Sequence, residues 1–145
     1  MKFHFLTSKF YDDYANCEQI LFKDKRPYCF SICEINDVLI AVPLRSHLNK
    51  SNQYIIKTPN SDGGLDLTKS IVITSANRGK YIDALSSPTI RKEDYNFLLG
   101  KEYALEQRVK IFLKIYKKRY KNKIDNNSLL KYCSLQYFHK ELGLE

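Results

Sequence analysis

Residues 42–50 read Val-Pro-Leu-Arg-Ser-His-Leu-Asn-Lys, and they place Arg45, Ser46, His47 and Lys50 in one short stretch. These types can hold a phosphate and move a proton beside it. A guanidinium clasps two oxygens, a hydroxyl donates a hydrogen bond, an imidazole titrates near neutral pH and an ammonium adds charge. An apolar run enters Pro43, so the group would emerge at the end of a strand, where loops on a rigid frame carry function. The same residues also suit a solvated loop, and the stretch alone leaves both readings open. A second cluster, Lys23-Asp24-Lys25-Arg26-Pro27-Tyr28, is either a basic surface loop or a phosphate contact with a ring for base stacking. A third, Gly64-Leu65-Asp66-Leu67-Thr68-Lys69, would put Asp66 and Lys69 on one face of a helical turn as a surface ion pair.

Other chemistries find less support. The three histidines are not spaced four apart, and there is no HExxH, no P-loop and no dinucleotide-binding glycine pattern. The expectation is therefore no metal and no cofactor. A Ser–His–Asp triad needs only to meet in space, but no serine sits in a nucleophile-elbow pattern. Cys17, Cys29, Cys33 and Cys133 lack the paired spacing of a zinc site. Cys29 and Cys33 fall on one face of a strand-like run and are expected to be buried free thiols.

The elements that must position these residues follow from periodicity. Phe3-His4-Phe5 reads as a short strand, and Thr7-Ser8 as a cap for a helix from about Lys9 to Glu18. Tyr28, Phe30 and Ile32 alternate with Cys29, Ser31 and Cys33. Asn36-Asp37 then turns the chain into Val38–Val42, a hairpin whose second strand should end near Pro43 or lie at an edge there. Further strands are expected at 54–56 and 71–73, with a turn-rich loop over 59–64 between them. After 86–88 the pattern turns helical: a short helix opened by Thr89 or Arg91, a break at Gly100, and a long helix from Lys101 to about Lys121. Asn126-Asn127-Ser128 resembles a cap before a last helix carrying Leu129, Leu130, Cys133, Tyr137 and Leu142. In the long helix Leu105, Val109, Phe112, Leu113, Tyr116 and Tyr120 form an apolar stripe, while Lys110, Lys114, Lys117, Lys118, Arg119 and Lys121 stand elsewhere. Those lysines either solvate a face or contact nucleic acid.

At 145 residues the chain suits a single domain, 1–145, of α+β class with a helical C-terminal third. Hydrophobic residues make up 43% and charged residues 28%, a globular balance. Lys and Arg number 24 against 16 Asp and Glu, a net charge of +8, which favours an anionic partner, with RNA or DNA ahead of a membrane surface. No apolar run reaches the roughly 20 residues of a membrane helix, and the N-terminus has no secretion-signal pattern, so a cytoplasmic location is expected.

The sequence resembles the toxins of type III toxin–antitoxin systems, the ToxN/AbiQ-like endoribonucleases, and especially their CptN/TenpN branch. The resemblance starts at Met1-Lys2-Phe3 with Leu6-Thr7 and passes through Arg26-Pro27-Tyr28. It is strongest at Ala41-Val42-Pro43-Leu44-Arg45-Ser46-His47, returns at Gly64-Leu65-Asp66-Leu67-Thr68-Lys69, and runs loosely into the basic helices. It implies a strongly bent mixed or antiparallel sheet wrapped by helices. It also implies a metal-independent ribonuclease that cuts cellular or phage RNA to a 2′,3′-cyclic phosphate. The implied partner is a small repeated pseudoknot antitoxin RNA, which the toxin processes and which holds it inactive in closed protein–RNA assemblies.

In the ToxN branch the strand mouth reads Leu-Thr-Ser followed shortly by Lys. Arg45 and Ser46 match the Thr-Ser pair, His47 or Lys50 stands for the lysine, and Arg26 falls near a basic site position. On this resemblance His47 or Lys69 moves protons, with Arg45, Ser46 and Arg26 around the phosphate. Lys25, Tyr28, Lys50, Asp66, Thr68 and the four helix lysines are the expected RNA contacts. A non-catalytic basic RNA- or DNA-binding module is the rival, and it accounts equally well for the charge and the lysine helix.

Overall fold

The computed structural model describes residues 2–22, 26–29, 34–35, 37–46, 48, 53–59, 62–124 and 128–144. Three residues that the sequence singles out, Lys25, His47 and Lys50, lie outside these, as do Cys33 and Asn36. The spine of the sheet is β4, Val38–Arg45, with Leu39 to Pro43 all buried. Its run of β-branched and aliphatic residues suits a strand covered on both faces.

Around β4 the partners change midway. Its first half pairs with β3 (Glu34–Ile35) and with β7 (Ile71–Thr74). Its second half pairs with β2 (Tyr28–Cys29) and with β6 (Gly64–Asp66). Beyond these lie β1 (Phe3–His4) against β2, and β5 (Ile55–Lys57) against β6. Every pairing among the described residues is antiparallel, which narrows the expected mixed or antiparallel sheet to the second kind.

Pro43 does not end the strand; β4 runs on to Arg45. The Leu44 N–H donates to Pro27 O at 2.9 Å on the β2 side, so alternation turns the Pro43 nitrogen to the opposite side. There the β6 ladder begins only at Leu44, and no bond is asked of proline. Asp37, at the β3–β4 turn, takes the positive φ expected of it (66°).

The helices are α1 (Ser8–Asp13), α2 (Arg78–Tyr81), α3 (Lys92–Leu98), α4 (Glu102–Asn122) and α5 (Leu129–Tyr132), with 3-10 turns at Leu67–Lys69, Ser75–Asn77 and Ser134–Tyr137. α4 matches the expected long helix and buries Leu105, Val109, Phe112, Leu113 and Tyr116 against the sheet's core. The segment after Thr7 is helical for less than the expected span. Thr7 caps it, but past Asp13 the chain breaks into turns, Cys17 N to Tyr14 O and Ile20 N to Cys17 O, each at 3.0 Å. Those turns deliver Ile20 to the core, so burial overrides helical periodicity. The last helix is likewise two pieces. Cys133 is extended between them, and the Ser134 hydroxyl donates to Thr68 O at 3.2 Å and to Ser70 O, tying the chain to the start of β7.

Cys29 is a buried free thiol, as expected, and Cys133 is another; burial pushes each up to about 12. No helix among the described residues is long and apolar enough to cross a membrane.

Candidate nucleic-acid interface

The last residue of β4 is Arg45, and its antiparallel neighbour β6 ends at Asp66. Antiparallel pairing of the short β6 with the end of β4 therefore decides which acid meets which base. Arg45 Nη1 donates to Asp66 Oδ2 at 2.6 Å. The aspartate side chain is only 4% exposed, against 26% for the arginine, so the pair has a buried acid and a solvent-reaching base. Asp66 also caps the 3-10 turn: its Oδ1 accepts from Thr68 N at 3.0 Å and from the Thr68 hydroxyl at 2.6 Å. With both oxygens engaged, the carboxylate cannot rotate, and the guanidinium is held in one place.

The expected Asp66–Lys69 ion pair is not made. One 3-10 turn carries the two side chains apart: Asp66 serves Arg45, while Lys69 reaches toward the N-terminal and C-terminal segments. Its Nζ donates to Gln19 Oε1 at 2.7 Å and to Tyr132 O at 2.8 Å. Half-burial lowers the Lys69 ammonium from its ordinary value, against the opposing pull of Asp66. Both its partners are neutral acceptors, which fix the protonated form in position.

Arg26 enters from the residue pair before β2. Burial lowers its guanidinium from the usual value, against the pull of Tyr28, and Arg45 lies near enough to add repulsion. An arginine keeps its charge regardless. Tyr28 is fully buried, and desolvation raises its phenol. Among the described residues, the Nε groups of Arg26 and Arg45 are buried with no hydrogen-bond partner. Two guanidiniums this close together repel each other and would be stabilised by an anionic neighbour.

Of the residues singled out from sequence, Arg26, Tyr28, Arg45, Asp66, Thr68 and Lys69 thus form one neighbourhood. Ser46 is exposed, one residue beyond β4. Lys110 pairs with Glu106 at 3.4 Å on α4; Lys114 and Lys118 are exposed and Lys117 is half-buried. None of these four is bonded to the Arg45 neighbourhood. Sequence reasoning missed Gln19, the Tyr132 carbonyl and Ser134, which brace Lys69 and its turn. No local signal marks them, because their partners are 50 to 66 residues away.

No family model matches the chain, and no curated protein matches it.

Proposed function

We propose that the chain is a metal-independent endoribonuclease, the toxin of a type III toxin–antitoxin system, which a pseudoknot antitoxin RNA inhibits and which processes that RNA. The observation that supports this most is the closeness of Arg26 and Arg45, the latter braced by the buried Asp66 carboxylate, with Lys69 held separately by neutral acceptors but near enough to feel Asp66 and Arg45. That is more positive than negative charge in a partly desolvated place, the environment in which a phosphodiester's charge is best stabilised.

In this reading the RNA supplies its own nucleophile. The ribose 2′-oxygen bonds to the adjacent phosphorus, the bond to the 5′-oxygen breaks, and a cyclic phosphate remains. One proton leaves the 2′-OH and one reaches the departing 5′-oxygen. Arg26 and Arg45 hold the phosphate oxygens and the charge that builds on them. Lys69, fixed as an ammonium, stands as the proton donor. His47, two residues past Arg45 in sequence, is assigned as the base on residue type and resemblance alone.

The test is cleavage of single-stranded RNA by the purified chain in excess EDTA, with the ends analysed for cyclic phosphate. Arg45→Ala and Arg26→Ala should lose at least a hundredfold in rate. RNA that binds but is never cut, in several sequence contexts, would instead favour the binding module.

A further inference from the structure

As an ammonium, Lys69 carries three N–H donors on one rotating nitrogen. Two of them are engaged within the chain, one by Gln19 Oε1 at 2.7 Å and one by the Tyr132 carbonyl at 2.8 Å. Acceptors on two sides stop rotation about the Cε–Nζ bond, so the third N–H points one way, and it has no partner among the described residues. In the neutral amine the two N–H groups can stay on the same acceptors while the lone pair takes the third position. Acid and conjugate base then share one geometry, and the proton leaves without rearrangement.

One 3-10 turn, Ser134–Tyr137, anchors every part of this arrangement. The Ser134 hydroxyl donates to the carbonyls on either side of Lys69, Thr68 O at 3.2 Å and Ser70 O. The Gln136 amide nitrogen does the same around Tyr132, donating to Lys131 O and Cys133 O, each at 2.8 Å. The Tyr137 hydroxyl accepts from the backbone N–H of Gln19 at 3.2 Å. Gln19 is thus held by its backbone, and its side chain is left to serve Lys69.

Neither acceptor is charged. A carboxylate at the Gln19 position would form an ion pair and retain the proton, whereas an amide oxygen directs it and leaves it transferable. The charged and titratable groups around Lys69 are Asp66, Arg45 and Cys133. Half-burial lowers the ammonium most, Asp66 opposes that and Arg45 adds to it, while the Cys133 thiol is neutral below about 12.

We propose that Gln19 is a positioning residue for RNA cleavage, whose uncharged side-chain oxygen aims the transferable proton of Lys69. The inference deepens the reading of Lys69 as proton donor to the departing 5′-oxygen and rests on it.

Gln19→Glu and Gln19→Met in the full chain test it, since the backbone tie to Tyr137 survives both. Two quantities are measured side by side. One is kcat and KM for RNA cleavage against pH; the other is the pH midpoint at which Lys69 becomes reactive toward acetic anhydride, followed by mass spectrometry. The glutamate should raise the Lys69 midpoint by about one pH unit and carry the alkaline limb of kcat upward with it. The methionine takes an acceptor from the ammonium, so it should lower the midpoint and reduce kcat about tenfold at nearly constant KM. A midpoint that neither substitution moves, or one that moves while the kcat limb stays in place, would overturn the proposal. Failure of the underlying reading looks different and removes the role as well: the unmodified chain cuts no RNA at any pH, although the Lys69 midpoint still rises with the glutamate.

Discussion

Asp66 is the residue on which the geometry of the cationic cluster turns, although it carries the wrong charge to touch RNA. Its two oxygens are spent on Arg45 and on Thr68. Asp66→Asn keeps the shape, removes the charge that fixes the guanidinium, and should lower the rate of RNA cleavage ten- to a hundredfold in kcat with a smaller change in KM. Truncating the other member, Arg45→Ala, leaves a buried carboxylate without its cation and should cost about 3–5 kcal/mol of stability in a denaturant titration. A loss below ~1 kcal/mol would show that water reaches Asp66.

The two buried thiols give a second prediction at this scale. Cys29 and Cys133 sit near 12 in the folded chain against 9.0 when exposed, so the folded state holds protons that the unfolded state has released. Stability is then full below pH 9 and falls as pH climbs from 9 toward 12, at about 1.4 kcal/mol per pH unit for each thiol. Cys133→Ala should flatten the alkaline limb of a stability–pH curve.

The residue types at the cluster were legible from sequence; their pairing was not. Arg45 looked free for substrate and Asp66 looked like the partner of Lys69, because helical spacing is a local rule and the Arg45–Asp66 bond depends on which strands meet.

Among the elements, the long α4 and β4 reported themselves most fully, and the short β1, β5 and β7 were also legible to within one residue. α4 shows its stripe over 21 residues, and β4 its apolar run from Val38 to Leu44. The ones that stayed hidden were two to four residues long and held by distant partners: β6, α2 and the split at Cys133. Too few residues repeat there for a period to emerge. β6 matters most, because it delivers Asp66, and Gly64 at its head is set by contact rather than by turn chemistry. A Cβ there would lie 2.7 Å from Ile56 O and 2.8 Å from Ile55 Cγ2, both on the paired strand β5. Gly64→Ala must push β5 and β6 apart. It should cost about 1–3 kcal/mol by thermal or chemical unfolding, and it should weaken phosphate binding by shifting Asp66 away from Arg45. Wild-type phosphate affinity in that variant would mean that the Asp66 turn is anchored by Ser134 and not by the ladder.

For the whole molecule, the +8 charge sets how it meets an anionic polymer, and it divides the cations into two kinds. Those of the cluster are braced and partly buried; Lys114 and Lys118 on α4 are exposed and point charges only. Exposed lysines that neutralise phosphates release counterions, so log affinity for single-stranded RNA should fall with log salt by about 0.7 per contact. Lys114→Ala and Lys118→Ala should each lower that slope by about 0.7 and weaken binding to all sequences alike, while leaving the cut position and the saturated rate unchanged. Arg26→Ala should do the reverse, with a rate loss far exceeding its effect on the salt slope. An unchanged slope in the double lysine variant would confine the RNA to the sheet side of the molecule and reduce the α4 lysines to a solvated face. In that case the surplus charge would act only through long-range steering, and salt would slow association without altering the dissociation rate.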